Sequence, residues 1–179
     1  MVLKIVLLGD GMVGKTTIRL RYLGYGFQND YMKTIGADFA LKDILIAENK
    51  TIKVQIWDLA DQKSFDKIRI NYLYGCHSAF IVYDVSNPDS YQSVLTWYEE
   101  IATGLLEKVP IVLIGNKIDL RDENKDTLSE LEGRKMAERI QRRNGNMPVF
   151  YIETSAKTGV HIHEAFDLLT AELKRIYKI

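Results

Sequence analysis

Short apolar runs rich in Val and Ile recur along the chain, and segments with helical periodicity separate them. Because nearly every residue in these runs is apolar, they are predicted to be strands buried on both faces, as in a mainly parallel sheet. The predicted strands run from Val2 to Leu8, Ile52 to Trp57, Ala79 to Tyr83, Ile111 to Ile114 and Val149 to Ile152.

The segments between and beside these strands complete the predicted fold. The clearest helix is the last, whose apolar face is formed by Ile162, Phe166, Leu169, Leu173 and Ile176. The run Ala37 to Ala47 precedes Ile52 with only a short polar turn between them, which predicts an antiparallel hairpin at the sheet edge. We therefore predict one doubly wound α/β domain with a mostly parallel six-stranded sheet, one antiparallel edge strand and helices on both faces. In this architecture ligands bind beyond the carboxyl ends of the strands.

Composition excludes several functions. The chain has 179 residues, 46% of them hydrophobic and 27% charged, with a formal net charge of +0, which predicts one globular domain. Neutral charge without a basic stripe argues against a nucleic-acid partner. The single cysteine, Cys76, excludes an internal disulfide and agrees with a reducing compartment. We see no run long enough for a membrane span, and we interpret the apolar start as a buried strand.

The loop after the first strand reads GDGMVGKT, from Gly9 to Thr16, and fits the phosphate-loop pattern G-x-x-x-x-G-K-[ST] between a strand and a helix. Glycines let the backbone N–H groups converge on phosphate oxygens, Lys15 reaches the outer phosphates, and the Thr16 hydroxyl suits magnesium. The predicted phosphate-binding residues are Gly9, Asp10, Gly11, Met12, Val13, Gly14, Lys15, Thr16 and Thr17. The alternative is a tight glycine turn with a surface lysine.

Two later strand ends carry the candidates for base recognition. GNKID, from Gly115 to Asp119, and ETSAK, from Glu153 to Lys157, both follow apolar strands. The Asp119 carboxylate can accept from the ring N–H and the amino group of guanine, and adenine presents no such donor pair. Taken alone NKID is a common polar turn, but together with the phosphate loop it predicts a guanine nucleotide.

With these motifs the chain resembles the Ras superfamily of small GTPases, most closely its Rab-like branch, over essentially its whole length. The resemblance also rests on TIGADF (Thr34 to Phe39), IWD (Ile56 to Asp58), IVYDVS (Ile81 to Ser86) and SAK (Ser155 to Lys157). It implies a single G domain over residues 1–179 that binds GTP or GDP with magnesium and slowly hydrolyses GTP. It also implies that activating proteins accelerate this hydrolysis.

The resemblance assigns the base-binding roles to Asn116, Lys117, Asp119, Ser155, Ala156 and Lys157. In the family the asparagine and aspartate hold guanine, the two lysines lie along its faces and the alanine N–H contacts its oxygen. Phe27 takes the place of an aromatic residue that stacks edge-on against the base. An ordinary core phenylalanine is the alternative.

The resemblance also assigns magnesium and catalysis. The implied metal ligands are Thr16, Thr34 and Asp58, and the implied catalytic residues are Lys15, Thr34 and Gln62. Thr34 would bind magnesium only with the γ-phosphate present, so the segment from Gln28 to Phe39 is expected to be a switch. With a second switch from Asp61 to Tyr74, it is expected to contact effectors, exchange factors and GTPase-activating proteins. A monomer is expected.

The stretch IWDLADQ, from Ile56 to Gln62, raises a separate question. Its two carboxylates alone suit an acid/base pair, a metal site or a charged turn. The family pattern D-x-x-G-Q puts Asp58 on magnesium and Gln62 on the attacking water, which leaves Asp61 where the family has glycine. At about 5 Å and an effective dielectric of about 20, its charge would repel a γ-phosphate by up to about 3 kcal/mol. Either Asp61 weakens GTP binding or misaligns the second switch, or its carboxylate faces solvent and the switch works.

Other functions stay open. A guanine-nucleotide-binding module with little hydrolysis, biased to GDP by Asp61, is the main alternative, and Asn116 and Asp119 disfavour an ATP-dependent kinase or ATPase. The end RIYKI carries no cysteine for prenylation, so no membrane anchor is expected in this chain. The expected location is cytoplasmic, peripheral to membranes only through a partner or a missing tail.

Some polar residues are predicted to lack a special role. The histidines have no partner at metal-ligand spacing, and Cys76 is predicted to be a small core residue. The run RDENKD, from Arg121 to Asp126, is predicted to be solvated surface.

Overall fold

The computed structural model describes residues 2–27, 34–47, 50–61, 66–123 and 126–179. Within these residues six strands form one sheet, in the order β2-β3-β1-β4-β5-β6. The strands are β1 (Val2–Leu8), β2 (Ala37–Ala47), β3 (Lys50–Leu59), β4 (Ser78–Asp84), β5 (Ile111–Asn116) and β6 (Val149–Thr154). Every neighbouring pair is parallel except β2 and β3, which are antiparallel. The predicted sheet and its antiparallel edge strand are confirmed.

Helices connect the parallel strands. They are α1 (Lys15–Tyr22), α2 (Asp66–Leu73), α3 (Pro88–Gln92), α4 (Val94–Gly104), α5 (Glu130–Gln141) and α6 (Ile162–Tyr177), with a 3-10 helix at Ile118–Arg121. Local signals explain several of their ends. A capping box joins Ser129 and Glu132 at the start of α5, and the Asn87 side chain accepts N–H bonds at the start of α3.

The core lies on both faces of the sheet. On one face, side chains of α1 and α6 pack against β1, β3, β4 and β5, and the rings of Tyr22 and Phe166 stack with centroids 3.6 Å apart. On the other face, α4 and α5 supply Trp97, Tyr98 and Met136. Alternate residues of β1 enter the two clusters, with Ile5 on one side and Val6 on the other. The central strands are therefore buried on both faces, as predicted.

The prediction of two buried faces was wrong for β3 and β6. In β3 burial alternates residue by residue, because Thr51 and Lys53 point away from the core. In β6 most residues are only half-buried, because this strand is the sheet edge. Apolar composition alone therefore did not distinguish central strands from those nearer an edge.

The carboxyl ends of the parallel strands meet at one rim. In the registers of β4, β5 and β6, Asp84 lies beside Asn116 and Asn116 lies beside Thr154. Asp58, near the end of β3, lies beside Leu7 of β1. The residue types that can bind a polar ligand are thus brought together at this rim. No helix in the described part of the chain is long and apolar enough to cross a membrane.

Candidate functional site

The loop between β1 and α1 has the curvature of a phosphate cradle. Gly9 and Gly14 have φ angles of 143° and 102°, which side chains with a Cβ rarely adopt. A Cβ at Gly9 would lie 2.2 Å from the Val82 carbonyl oxygen, and one at Gly14 would lie 2.3 Å from Asn116 Nδ2. Both positions therefore require glycine. The loop is held tightly against β4 and β5, and no side chain of the described residues caps the start of α1 at its end.

Lys15 lies at the base of this loop. Its Nζ donates to the Gly9 carbonyl at 2.6 Å and to the Asp10 carbonyl at 2.7 Å, and the residue is only 7% exposed. Burial lowers the pKa of its ammonium group, and the nearby carboxylate of Asp58 opposes that shift. Its bonds are to neutral carbonyls, so the ammonium charge remains available to an anionic ligand.

Asn116 ties the loop to the strand ends. Its Nδ2 donates to the Val13 carbonyl at 2.8 Å, and its Oδ1 accepts from the Thr154 hydroxyl at 2.9 Å and the Ala156 N–H at 3.1 Å. The residue is buried. One amide therefore fixes the phosphate loop and the segment after β6 relative to each other.

Asp119 and Lys117 are also held in place. The Ser155 hydroxyl donates to Asp119 Oδ1 at 2.5 Å and accepts from the Thr158 N–H at 3.1 Å. Lys117 has a φ angle of 69° and forms an ion pair with Asp84 at 2.7 Å. These contacts leave Asp119 Oδ2 without a protein partner among the described residues, so that oxygen can accept bonds from a ligand.

The predicted metal ligands converge on one point. Asp58 Oδ2 accepts from the Thr16 hydroxyl at 2.5 Å and from the Thr34 hydroxyl at 3.1 Å, and the two hydroxyl oxygens are 3.0 Å apart. Asp58 is fully buried, and burial raises the pKa of its carboxyl group. Its Oδ1 has no hydrogen-bond partner among the described residues. Three oxygen groups with an unsatisfied buried oxygen beside them fit a hard cation such as magnesium.

A cavity of about 330 Å³ lies between these groups. The predicted site residues that line it are Gly11, Met12, Gly14, Lys15, Thr16, Thr17, Phe27, Thr34, Asp61, Asn116, Lys117, Asp119, Ala156 and Lys157. Gly9, Asp10, Val13 and Ser155 are absent from this lining and support it from behind. Phe27 is 41% exposed on the cavity wall, which excludes the alternative that it is a core residue.

Part of the predicted machinery lies outside the described residues. The structure does not describe Gln62, the predicted water-orienting residue, or residues 28–33 and 63–65 of the two predicted switches. Their roles stay predictions.

The structure adds residues that sequence reasoning missed. Asp84 pairs with Lys117, Thr154 donates to Asn116, and the Trp97 indole N–H donates to the Asp10 carboxylate at 2.7 Å. Asp84 and Thr154 carried a usable signal, since each is a polar residue at the end of a parallel strand. Trp97 reaches Asp10 from α4, 87 residues away, and no local pattern indicates that contact.

The prediction that Arg121 is solvated surface was wrong. Its guanidinium donates to both Glu153 oxygens at 2.6 Å and to the Leu128 carbonyl at 2.7 Å. This bidentate pair joins the 3-10 helix after Asn116 to β6, and hydrogen bonding to Glu153 raises the pKa of Arg121. Cys76 is buried as predicted, and burial raises the pKa of its thiol to about 12.

The chain is similar to known proteins over most of its length. A family model described as the Ras family matches residues 4–175. Ras-related protein RABG3f of Arabidopsis thaliana is 37% identical over 174 residues, covering 95% of this chain and 81% of the relative. Ypt/Rab-type GTPase avaA of Emericella nidulans is 36% identical over 171 residues, covering 93% and 80%, and Ras-related protein Rab7 of Pisum sativum is 36% identical over 174 residues, covering 95% and 81%. The likeness therefore includes the loop, the strand ends and both faces of the sheet.

Proposed function

The chain belongs to the Ras family and is a Rab-like small GTPase, a GTP hydrolase, and from this premise we propose a magnesium-dependent switch that holds its nucleotide across the rim described above. In this proposal the base lies against the ends of β5 and β6 and the phosphates lie in the loop after β1. The predicted switches around Thr34 and after Asp61 report which nucleotide is bound. The sheet order supports the proposal. The strands β3 and β1, which carry or precede the metal-site and phosphate-loop residues, lie on one side of β4, and β5 and β6, which precede the base-site residues, lie on the other.

The selectivity for guanine is argued from Asp119. One of its oxygens is occupied by the Ser155 hydroxyl, and the carboxylate faces the same cavity as Lys117, Lys157 and the Ala156 backbone. A carboxylate accepts from the two neighbouring N–H donors of guanine, whereas adenine offers it no such pair. The lysine stems and Phe27 give apolar surface for the faces and edge of the base.

Phosphate binding is argued from the loop and Lys15. The backbone N–H groups at the start of α1 and the buried ammonium group present positive charge to one wall of the cavity. The carboxylates of Asp58 and Asp61 lie near the same ammonium group. Phosphates bound beside these acids therefore require additional positive charge.

Magnesium supplies that charge when it is bound, because it neutralises phosphate oxygens in the ground state and in the transition state. Thr16, Thr34 and Asp58 are the residues that would hold it directly or through water, since their oxygens already converge. Thr34 belongs to the first predicted switch, so its binding to the cation would couple that segment to the site.

Hydrolysis needs little covalent chemistry from the protein. Lys15 stabilises charge that develops on the outer phosphates, and Gln62 is proposed to orient the attacking water. Without a partner that supplies a further positive charge, we expect slow turnover, on the order of 10⁻⁴ to 10⁻² s⁻¹. Effectors, exchange factors and activating proteins are proposed to bind the two switch segments, and the cytoplasmic location stays a prediction.

The observation that carries the proposal is that Lys15 and Asn116 line one cavity and that Asp58 accepts a hydrogen bond from Thr16 of the same lining. The test is single-turnover hydrolysis of GTP by the purified chain, with and without magnesium, beside Gln62→Leu. We expect slow phosphate release that requires magnesium and falls at least about tenfold in Gln62→Leu. Hydrolysis that is unchanged by magnesium removal and by Gln62→Leu contradicts the proposed roles.

A further inference from the structure

Asp61 lies against the phosphate loop. A Cβ placed at Gly11 would be 2.7 Å from Asp61 Oδ2 and 3.2 Å from its Cγ, so this carboxylate lies directly against the loop at Gly11. Asp61 also lines the cavity and is half-buried. The alternative that its carboxylate simply faces solvent does not describe this arrangement.

Among the described residues, none forms a hydrogen bond or an ion pair with the Asp61 carboxylate. The carboxylate nevertheless lies close enough to Lys15 to affect that ammonium group electrostatically. Lys15 is also influenced by the carboxylates of Asp58 and Asp10. Negative charge is therefore already concentrated around Lys15, and Asp61 adds to it. The Arg69 guanidinium, which donates to the Ala60 carbonyl at 2.7 Å, is the cation that also acts on this ammonium group.

The contacts along the loop give the site a direction. Asn116, at the base-recognition end, contacts the loop at Val13 and Gly14, whereas Asp61 contacts it at Gly11. The oxygen groups of Thr34 and Asp58 meet at Thr16, on the wall that also includes Asp61. A nucleotide whose base lies beside Asn116 and Asp119 therefore brings its last phosphate, rather than its first, towards Asp61.

We propose that Asp61 is a specificity-determining residue whose carboxylate discriminates against the third phosphate, so that this chain binds guanosine diphosphate more tightly than guanosine triphosphate. The inference rests on the proposed function. A third phosphate adds negative charge next to the Asp61 carboxylate in a partly desolvated cavity, where the repulsion is stronger than in water. The chain then occupies its diphosphate state at equal nucleotide concentrations, and a partner or a local cation must offset Asp61 to favour the triphosphate state.

The test is the affinity for each nucleotide in the presence of magnesium. GDP and the non-hydrolysable triphosphate analogue guanylyl imidodiphosphate compete with a fluorescent GDP on the full chain and on three variants. Asp61→Asn removes the charge and keeps the shape, Asp61→Gly removes the side chain, and Asp43→Asn is the matched control. Asp43 is an exposed acid of β2 that pairs with Lys53 at 3.0 Å.

We expect the native chain to bind the triphosphate analogue at least about tenfold more weakly than GDP. A modest repulsion between the Asp61 carboxylate and the third phosphate is enough to produce this difference. Asp61→Asn should remove most of this difference and Asp61→Gly at least as much, with GDP affinity changed less than about threefold. Asp43→Asn should keep the native ratio. Thermal unfolding of each variant with GDP shows whether it is folded.

Two results overturn the inference. One is equal affinity of the native chain for the two nucleotides, and the other is a native preference for GDP that survives in both folded Asp61 variants. The native ratio needs no variant, so a variant that fails to fold does not remove the test. Absence of GDP binding by the native chain would instead contradict the proposed function, which keeps the two failures distinguishable.

Discussion

The Asn116 side chain uses both ends of its amide within the protein. Its oxygen accepts two bonds and its nitrogen donates one, which leaves one N–H for a ligand. Asp119 is held by one hydroxyl and keeps an oxygen for the cavity. At the scale of single residues, Asn116 and Asp119 are therefore each held by contacts within the protein and keep a polar group for the proposed base contacts.

Asp119→Asn tests base recognition. The substitution replaces an acceptor with an amide that can donate, so it mismatches the amino group of guanine and matches a carbonyl at the same ring position. We expect GDP affinity to fall at least about a hundredfold and xanthosine diphosphate to become the better ligand. Competition binding measures both, with the exposed Asp122→Asn as control. Unchanged preference for GDP in Asp119→Asn would contradict the assignment.

Cys76 gives a test of burial. Because burial raises its pKa to about 12, the native thiol stays neutral where an unfolded thiol ionises, from about pH 9 upward. The unfolded chain then binds fewer protons, so this group's contribution to stability falls as pH rises from about 9 to about 12. Iodoacetamide at pH 8 should alkylate the folded chain far more slowly than the chain in urea. Equal rates would show that Cys76 is accessible.

At the scale of elements, the ion pair between Arg121 and Glu153 connects the 3-10 helix to β6. Tyr151 also donates to Glu153 at 2.9 Å and is 2.9 Å from the Tyr83 hydroxyl, so the pair belongs to a network that crosses three strands. The loops after β5 and β6, which carry the proposed base-binding residues, both begin beside this network. A substitution that breaks this network should therefore lower both the stability of the fold and the affinity for the base.

Arg121→Met tests this connection. It keeps much of the side-chain volume and leaves the half-buried Glu153 carboxylate without its cation, which we expect to cost about 1 to 3 kcal/mol of unfolding free energy. Arg143→Met is the control, because Arg143 pairs with Glu99 at an exposed site and should cost less than about 1 kcal/mol. Urea unfolding measures both. Equal losses would mean that the Arg121 pair has no special structural role.

Sequence patterns predicted the elements better than their surroundings. The apolar runs located the strands, and the polar residues after β1 and β5 located the candidate site, because parallel strands end at a common rim. Burial of β3 and β6 depended on their places in the sheet order, which local patterns do not contain. The pairing of Arg121 with Glu153 and of Trp97 with Asp10 depended on contacts 32 and 87 residues apart, which no spacing rule indicates.

At the scale of the whole molecule, the nucleotide site joins elements from both halves of the chain. Asn116 accepts from the Ala156 N–H and donates to Val13, in a loop about a hundred residues earlier. A ligand that bridges these parts binds the folded chain and not the unfolded chain. The account therefore predicts that nucleotide strongly stabilises the fold.

Ligand removal tests this coupling. At a free GDP concentration of about 1,000 times its dissociation constant, with magnesium present, we expect about 4 kcal/mol of added stability. Excess EDTA should lower the melting temperature of the GDP complex, because the oxygens around Asp58 then lack their cation. ADP at the same concentration should add almost nothing. A melting temperature that responds equally to GDP and ADP would contradict guanine recognition.

The most direct test of the central claim, that this rim holds a guanine nucleotide, is displacement of fluorescent GDP from the full chain by unlabelled GDP and by ADP with magnesium. Adenine lacks the pair of N–H donors that the Asp119 carboxylate can accept from. ADP should therefore bind at least about a thousandfold more weakly than GDP. Lys15→Met should abolish tight binding of the fluorescent probe, because the buried ammonium group lies at the base of the loop proposed to hold the phosphates. Displacement by ADP at the same concentration as GDP would contradict the account.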